Sequence, residues 1–338
     1  MSKLYFESYQ SINTLLKTLQ YSSAYVLVDQ NTKLHCYPLI APFLPSHKLI
    51  EIKAGEVNKS IDSCIRIWEA LSNDHADRQG LIINLGGGVI TDIGGFCAST
   101  YKRGVQFINI PTTLLAQVDA SAGGKTGIDF QQYKNQIGVF SEPEFVLIDN
   151  SFHRTLSNRE KRSGFSEMLK HGLIADKDHW EALTHLDYEK IDLDTIKKSV
   201  AIKQAVVEND PTEKGHRKIL NFGHTIGHAI ESTLLGTENA LLHGEAIAFG
   251  MLSEAFIAVK LNLLEEASFQ QIQQVVEKYY GKLQIEKALR NKVLRLCKQD
   301  KKNNNGFIQM SLLTAIGSAT YNITVNENLI NEAIDAHL

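Results

Sequence analysis

The run from Leu81 to Phe96, LIINLGGGVITDIGGF, constrains this chain more than any other stretch. A short, mostly apolar segment enters three consecutive glycines and leaves as an apolar segment with helical spacing. The backbone must therefore pass from strand to helix through a turn too tight for ordinary side chains. Similar strand-like runs recur at 23–29 (SAYVLVD), 106–110 (QFINI) and 145–149 (FVLID). Helix-like patterns occupy 11–19, 60–71 and the segments after 88 and 112. That alternation predicts βαβ units and a mainly parallel sheet. Beyond about residue 155 the pattern changes to long helical stretches at 191–208, 221–234, 243–261 and 266–294. A short β excursion is expected at 306–312 and 320–325, and a turn or loop at 300–306. The expectation is an α/β domain over 1–154 and a mainly helical domain over 155–338.

A chain of 338 residues, 43% hydrophobic, can bury cores for two such domains. Its 35 Lys and Arg against 38 Asp and Glu leave a formal charge of -3, which argues against nucleic acid or a membrane surface as partner. Cys36, Cys64, Cys97 and Cys297 form no CxxC pair or dense pattern, so they read as buried thiols in a reducing compartment. The start, MSKLYFESYQS, lacks a secretory pattern, and no apolar run is long enough to span a bilayer. Cytoplasmic location is the expectation.

Glycines entering a helix N-terminus let a diphosphate approach unpaired N–H groups, so Gly86, Gly87 and Gly88 suit a dinucleotide such as NAD. The alternative is a packing turn at the sheet edge, since GGGV lacks the full spacing of the common fingerprint. Asp29 closes the first predicted strand, where it could meet a ribose or simply face solvent. A second concentration lies in IPTTLLAQVDASAGGKTGID (110–129). Pro111 pins a strand exit, Thr112 and Thr113 offer hydroxyls, Asp119 falls in a helical-looking segment, and Lys125 follows Gly123 and Gly124 on a glycine-rich turn. Lys125, with Lys134 and Asn135 further on, suits a phosphate or carboxylate; separately, each lysine could be ordinary surface. GGKT lacks the Gly-rich stretch of a P-loop.

The helical half holds a different chemistry. Glu167, Lys170 and His171 stand at i, i+3 and i+4 and share a helix face, and His224 and His228 are four apart. His243 opens LLHGEAIAFGM, where Gly244 and Glu245 follow at once. One carboxylate and two imidazoles can hold Zn²⁺ with a position left for substrate oxygens. Any one of these histidines could instead be a packed core residue, and HTIGH lacks the Glu of the HExxH hydrolases. Arg217 and Asn221, at i and i+4 ahead of His224, are expected on the same face as the histidines.

With these residues in view, the sequence resembles the dehydroquinate synthase family. GGGVITDIGG, YKRG, IPTTLLAQVDASAGGKTGID, KNQIGVF, SEMLKHGLI, RKILNFGHTIGHAIE and LLHGEAIAFGM look like its principal motifs in their usual order, across most of 23–325. The resemblance implies an α/β NAD-binding domain followed by a mainly α-helical metal- and substrate-binding domain. It places Asp29, Glu56, Lys59, Gly86, Gly87, Gly88, Asp92, Thr112 and Thr113 around NAD. Glu167, His224 and His243 match the metal ligands, normally for Zn²⁺ with Co²⁺ able to substitute, and His171 is expected outside the ligand set. Asp119, Lys125, Lys134, Asn135, Lys170, Arg217, Asn221 and His228 match substrate-binding or catalytic positions. Arg103 is expected to reach substrate phosphate from the neighbouring subunit of a homodimer, and one of Lys301 and Lys302 would complete the pocket.

The implied substrate is a phosphorylated heptulosonate, 3-deoxy-D-arabino-heptulosonate 7-phosphate, converted to 3-dehydroquinate and phosphate. The implied route runs through transient oxidation by NAD⁺, phosphate elimination, reduction, ring opening and an aldol closure. Two departures stand out. Ala120 replaces a serine the family often carries, and Asp129 stands where it often has Asn. The competing readings are another sugar-phosphate cyclase, an NAD- and metal-dependent polyol dehydrogenase that would release NADH, and a noncatalytic binding module.

Overall fold

The computed structural model describes residues 2–120, 123–131, 133–298 and 308–337. They divide into two compact units, one formed by Met1–Lys161 with Asp192–Val200 and the other by Arg162–Ile191 with Ala201–Leu338. In chain order the first unit contains β1 (Lys3–Phe6), β2 (Ala24–Asp29), β3 (Lys48–Ile52), β4 (Leu81–Gly86) and β5 (Gln106–Pro111). The strands β6 (Lys125–Phe130), β7 (Tyr133–Phe140) and β8 (Phe145–Ile148) follow. Six of them form a sheet in the order β1-β8-β5-β4-β2-β3, and every pairing in it is parallel.

Alternation along the strands builds a core on each face of this sheet. Leu81, Ile83 and Leu85 join Val26, Val28, Ile108 and Ile110 on one face, where Ile12, Leu16 and Ile40 cover them. Ile82 joins Tyr25, Leu27 and Phe107 on the other, under Cys64 and Ile67 of the Ile61–Asn73 helix and Ile90 and Ile93 of the Gly88–Thr100 helix. Each such aliphatic side chain contributes about 1.5–3 kcal/mol by leaving water. The expected α/β unit with a mainly parallel sheet is present.

Some elements differ from expectation, each for a local reason. The edge strands β1 and β3 were not foreseen, because one-sided pairing lets polar Lys3 and Glu51 interrupt their apolar signal. The β6–β7 hairpin is hidden by its glycines. A Cβ on Gly127 would lie 2.6 Å from the Ile137 carbonyl oxygen, so glycine here permits close backbone approach. The segment after 112 closes as a π-helical turn, Ala116–Ala120. The Gln117 amide donates to the Pro111 and Asp149 carbonyl oxygens at 3.1 and 2.9 Å and ties that turn to the ends of β5 and β8.

The second unit is mainly helical, with β9 (Ile308–Ala315) and β10 (Ser318–Val325) pairing as an antiparallel hairpin where the β excursion was expected. Its helices include Asn158–Ala175 from Arg162 onward, His224–Leu234 and His243–Lys260. The stretch expected as one helix over 266–294 is two, Glu266–Tyr280 and Lys287–Lys298. Gly281, at φ +73°, ends the first with a left-handed residue. The stretch expected over 221–234 is also broken. Asn221 closes a 3₁₀ helix, His216–Asn221, and Gly223 at φ +80° turns the chain before the α-helix begins at His224. No described helix is long and apolar enough to cross a membrane.

Candidate active site

In the first unit the chain runs from β2 outward to β3 and then returns to β4 on the opposite side of β2. A crevice at the carboxyl ends of the strands belongs at such a reversal, and Asp29 and Gly86 end the two strands that flank it. No described side chain caps the Gly88–Thr100 helix at Gly87, so its first-turn N–H groups remain available to an anion. A Cβ on Gly86 would sit 2.5 Å from Ile90 Cγ1, and one on Gly87 3.1 Å from Thr113 Cγ2. These are the contacts of a helix closed tightly onto its strand, and the cradle fits a diphosphate. The Thr112 N–H donates to the Gly86 carbonyl at 3.0 Å, and Thr113 Oγ1 accepts from the Ala116 N–H at 3.2 Å. Asp29 has a local role that sequence reading missed. Its carboxylate accepts from the Thr32 N–H at 2.7 Å in a capping box that starts the Gln30–His35 helix.

Residues expected around the dinucleotide and residues expected on substrate meet in one polar network of this unit. Lys59 Nζ donates to Asp92 at 2.5 Å and to Asn135 Oδ1 at 2.6 Å, while Lys134 Nζ donates to Glu56 at 2.9 Å. Burial works against the charge on Lys59, but the carboxylates of Asp92, Glu56 and Asp129 together outweigh it and leave the pKa raised. Asn135, at φ +50°, is held by a hydrogen bond from its N–H to Asp129 Oδ1 at 2.7 Å. The acidic departure at 129 thus braces the network, and burial pushes its carboxyl up. Lys125 is exposed at the start of β6, just past Gly123 and Gly124 at φ +113° and +67°, where the expected glycine turn lies. Asp119 is half-buried in the π turn. Arg103 is exposed, and Lys102 and Arg103 are successive non-glycine residues with positive φ, 48° and 70°. Lys301 and Lys302 lie outside the described residues.

In the second unit Glu167 and Lys170, one helical turn apart and fully buried, form an ion pair through Oε2. Oε1 of Glu167 has no hydrogen-bond partner among the described residues. His224 Nε2 lies 3.7 Å from that oxygen and His243 Nε2 3.9 Å from it. These separations are too long for hydrogen bonds. They are a few tenths of an ångström longer than the roughly 3.3 Å edge of a tetrahedron with ~2.0–2.1 Å metal–ligand bonds. A buried orphan carboxylate oxygen facing two imidazole nitrogens fits a divalent ion. Burial, reinforced by Lys170, His228 and His243, holds His224 well below the ordinary histidine range. Its Nδ1 faces the Phe222 carbonyl oxygen at 3.1 Å, so a neutral ring with its proton on Nδ1 turns the Nε2 lone pair to the site. The rings of His228 and His224 are 5.0 Å apart, and the nitrogens of His224, His228 and His243 approach within 4.8 Å of one another. A His171 nitrogen is also within 4.8 Å of a Glu167 oxygen.

Arg217 and Asn221 do not continue the helix of the histidines, because the turn at Phe222 and Gly223 intervenes. Arg217 is buried and donates to the Pro211 carbonyl at 2.7 Å, and Asn221 donates to Glu213 at 2.6 Å. The structure adds Lys203 and Glu254, which sequence reading passed over, and gives Glu245 its partners. Lys203 is a buried cation on the Leu193–Asn209 helix. Glu254, fully buried, accepts the N–H groups of Gly223 at 2.7 Å and Ile226 at 3.1 Å, and so anchors the start of the His224 helix. Glu245 pairs with Arg162 at 2.6 Å and accepts the Leu242 N–H at 2.9 Å. Only the burial of these charges, invisible in sequence, distinguishes them from solvated surface residues.

A doubly wound unit with a glycine turn at its strand reversal offers a cradle suited to a diphosphate, and a helical unit with a carboxylate–histidine cluster offers a candidate site for a divalent ion. Residues 49–163 match the family model for the 3-dehydroquinate synthase N-terminal region and residues 164–303 that for its C-terminal region. The chain belongs to the 3-dehydroquinate synthase family. It is 41% identical over 330 residues to 3-dehydroquinate synthase of Parabacteroides distasonis, covering 96% of this chain and 94% of the relative. Among solved structures it is similar to a 2-epi-5-epi-valiolone synthase from Streptomyces hygroscopicus with NAD⁺ and Zn²⁺ bound. That match has a TM-score of 0.86 and 25% identity and covers 99% of this chain and 96% of the other. It also shares the fold of 2-deoxy-scyllo-inosose synthase complexed with carbaglucose-6-phosphate, NAD⁺ and Co²⁺, with a TM-score of 0.86, 24% identity and the same coverage.

Proposed function

We propose that this chain is a 3-dehydroquinate synthase, converting 3-deoxy-D-arabino-heptulosonate 7-phosphate to 3-dehydroquinate and phosphate. The observation that carries the reading is the 41% identity to a 3-dehydroquinate synthase over 96% of the chain. In this reading NAD rests on the Gly86–Gly88 turn, and Glu167, His224 and His243 hold Zn²⁺, or Co²⁺ in its place. When bound, the nicotinamide takes up and returns a hydride, and the ion polarises the oxygens at the carbon being oxidised.

The chain's own residues supply position and charge. Lys170 pairs with Glu167 at Oε2, leaving Oε1 for the ion. Lys125, Lys134, Asn135, Arg217 and Asn221 bind the carboxylate, hydroxyls and phosphate of an anionic sugar, and Asp119 and His228 serve hydrogen bonding or proton transfer. The protein acts in the cytoplasm as a homodimer, with Arg103 serving the neighbouring subunit's substrate. The test is product identification after incubation with that heptulosonate phosphate, Zn²⁺ and NAD below substrate. Many equivalents of 3-dehydroquinate per NAD are expected. A different carbocycle would point to another sugar-phosphate cyclase, and one free NADH per product to a dehydrogenase. Ligand-induced stabilisation without turnover would point to a binding module.

A further inference from the structure

We infer that Glu231 is a positioning residue of the metal site, acting through His243. Glu231 lies seven residues after His224 and three after His228, so the three share one face of the same helix over about two turns. Its side chain is only 6% exposed, and its Oε2 lies 3.0 Å from His243 Nδ1. That hydrogen bond requires the proton on Nδ1, because an ionised carboxylate can only accept. The other ring nitrogen, Nε2, then carries the lone pair, and it is the nitrogen 3.9 Å from the orphan oxygen of Glu167. This contact holds the proton on Nδ1 and orients the ring.

His224 meets the same requirement differently, through the Phe222 carbonyl at 3.1 Å. That acceptor belongs to the turn preceding its own helix, so the backbone orients His224. His243 opens the His243–Lys260 helix and has a side chain 25% exposed, so its ring has more freedom. Its acceptor comes from a different helix. Glu231 thus couples the helix that bears His224 to the one that bears His243 at the point where both must face one ion. A charged acceptor also makes the imidazole a stronger donor to a metal than a carbonyl would, and loss of such partners typically weakens metal binding about 10–100-fold.

The inference rests on the reading that Glu167, His224 and His243 hold the ion, and the test separates the two. Zn²⁺ affinity is measured by competition with a chromophoric chelator for wild type, Glu231→Gln and Glu231→Ala, with circular dichroism and NAD affinity on the same preparations. Glu231→Ala is expected to bind Zn²⁺ about 10–100-fold more weakly. Glu231→Gln, which keeps an acceptor but no charge, should fall between it and wild type, and the visible band of bound Co²⁺ should change in Glu231→Ala. Unchanged Zn²⁺ affinity in both folded variants would overturn the role of Glu231 alone. A wild type that binds no Zn²⁺ would remove the ligand reading beneath it. Should Glu231→Ala fail to fold, ¹⁵N spectra of metal-free wild type still decide: His243 is expected as the Nδ1–H tautomer, and an Nε2–H tautomer overturns the inference.

Discussion

Gly244→Ala should damage folding and metal binding together, and the structure sets the scale. A Cβ at Gly244 would fall 1.8 Å from the Ser163 carbonyl oxygen and 2.4 Å from Ser166 Oγ. Carbon and oxygen approach no closer than about 3.3 Å without penalty, so the two helices must part locally by about 1.5 Å. The Gly244 N–H also donates to Ser163 Oγ at 3.0 Å, a bond that this separation strains. Overpacking of this kind costs about 1–3 kcal/mol and a lost hydrogen bond about 1 kcal/mol more. For a domain of this size that lowers Tm by roughly 4–16 °C. Gly244 adjoins His243, and Ser166 adjoins Glu167, so the displacement falls on the ligand pair. Coordination distances tolerate about 0.2 Å, and Zn²⁺ affinity should drop at least roughly 100-fold. The assay is thermal unfolding by near-UV circular dichroism with and without chelator, alongside Zn²⁺ competition. Gly80→Ala is the control, since its Cβ would meet the Asp77 carbonyl oxygen at an ordinary 3.4 Å. A Gly244→Ala protein with wild-type Tm and Zn²⁺ affinity would refute the reasoning.

Lys125→Ala should keep its fold, NAD binding and metal content while losing at least about 100-fold in turnover, with Lys125→Arg rescuing incompletely. Near-wild-type turnover in a folded, loaded variant would reject a catalytic-site role. Burial, with Lys161 adding, pushes His153 down to about 4. The folded state then favours the neutral ring, so about 3 kcal/mol of stability, complete above the unfolded pKa of about 6.5, is lost as pH falls from there through the folded value. Denaturant titrations across that window should show a shallower slope for His153→Gln, and parallel slopes would count against it. Burial raises the Asp129 carboxyl, so its ionisation opposes folding as pH rises through the folded pKa. Asp129→Asn keeps an acceptor for the Asn135 N–H and should therefore raise Tm at pH 7. The gain should vanish in acid, and a lower Tm at both pH values would contradict it.

The central strands β2, β4, β5 and β8 were legible because strands buried on both faces are apolar throughout, and the glycine turn because three successive glycines separate a strand-like run from a helix-like one. The edge strands and the hairpin were not, because exposure on one side and close-packed glycines dilute periodicity. Spacing also misplaced Arg217 and Asn221: an i, i+4 argument holds only inside one helix, and a left-handed Gly223 ends that premise.

By itself the sequence determined the order of the central strands, the glycine turn and the residue types available to a metal, because those depend on neighbours along the chain. Tertiary structure alone decided that Lys59, Asp92, Asn135 and Asp129 form one network, and that a single oxygen of Glu167 faces His224 and His243 while the other pairs with Lys170. It also decided that Glu231 and Glu254 are buried carboxylates with partners on other helices. The reason is physical. Burial, and with it the pKa and ligand character of a charged group, is set by which distant segments pack around it, and distance along the chain carries no such information.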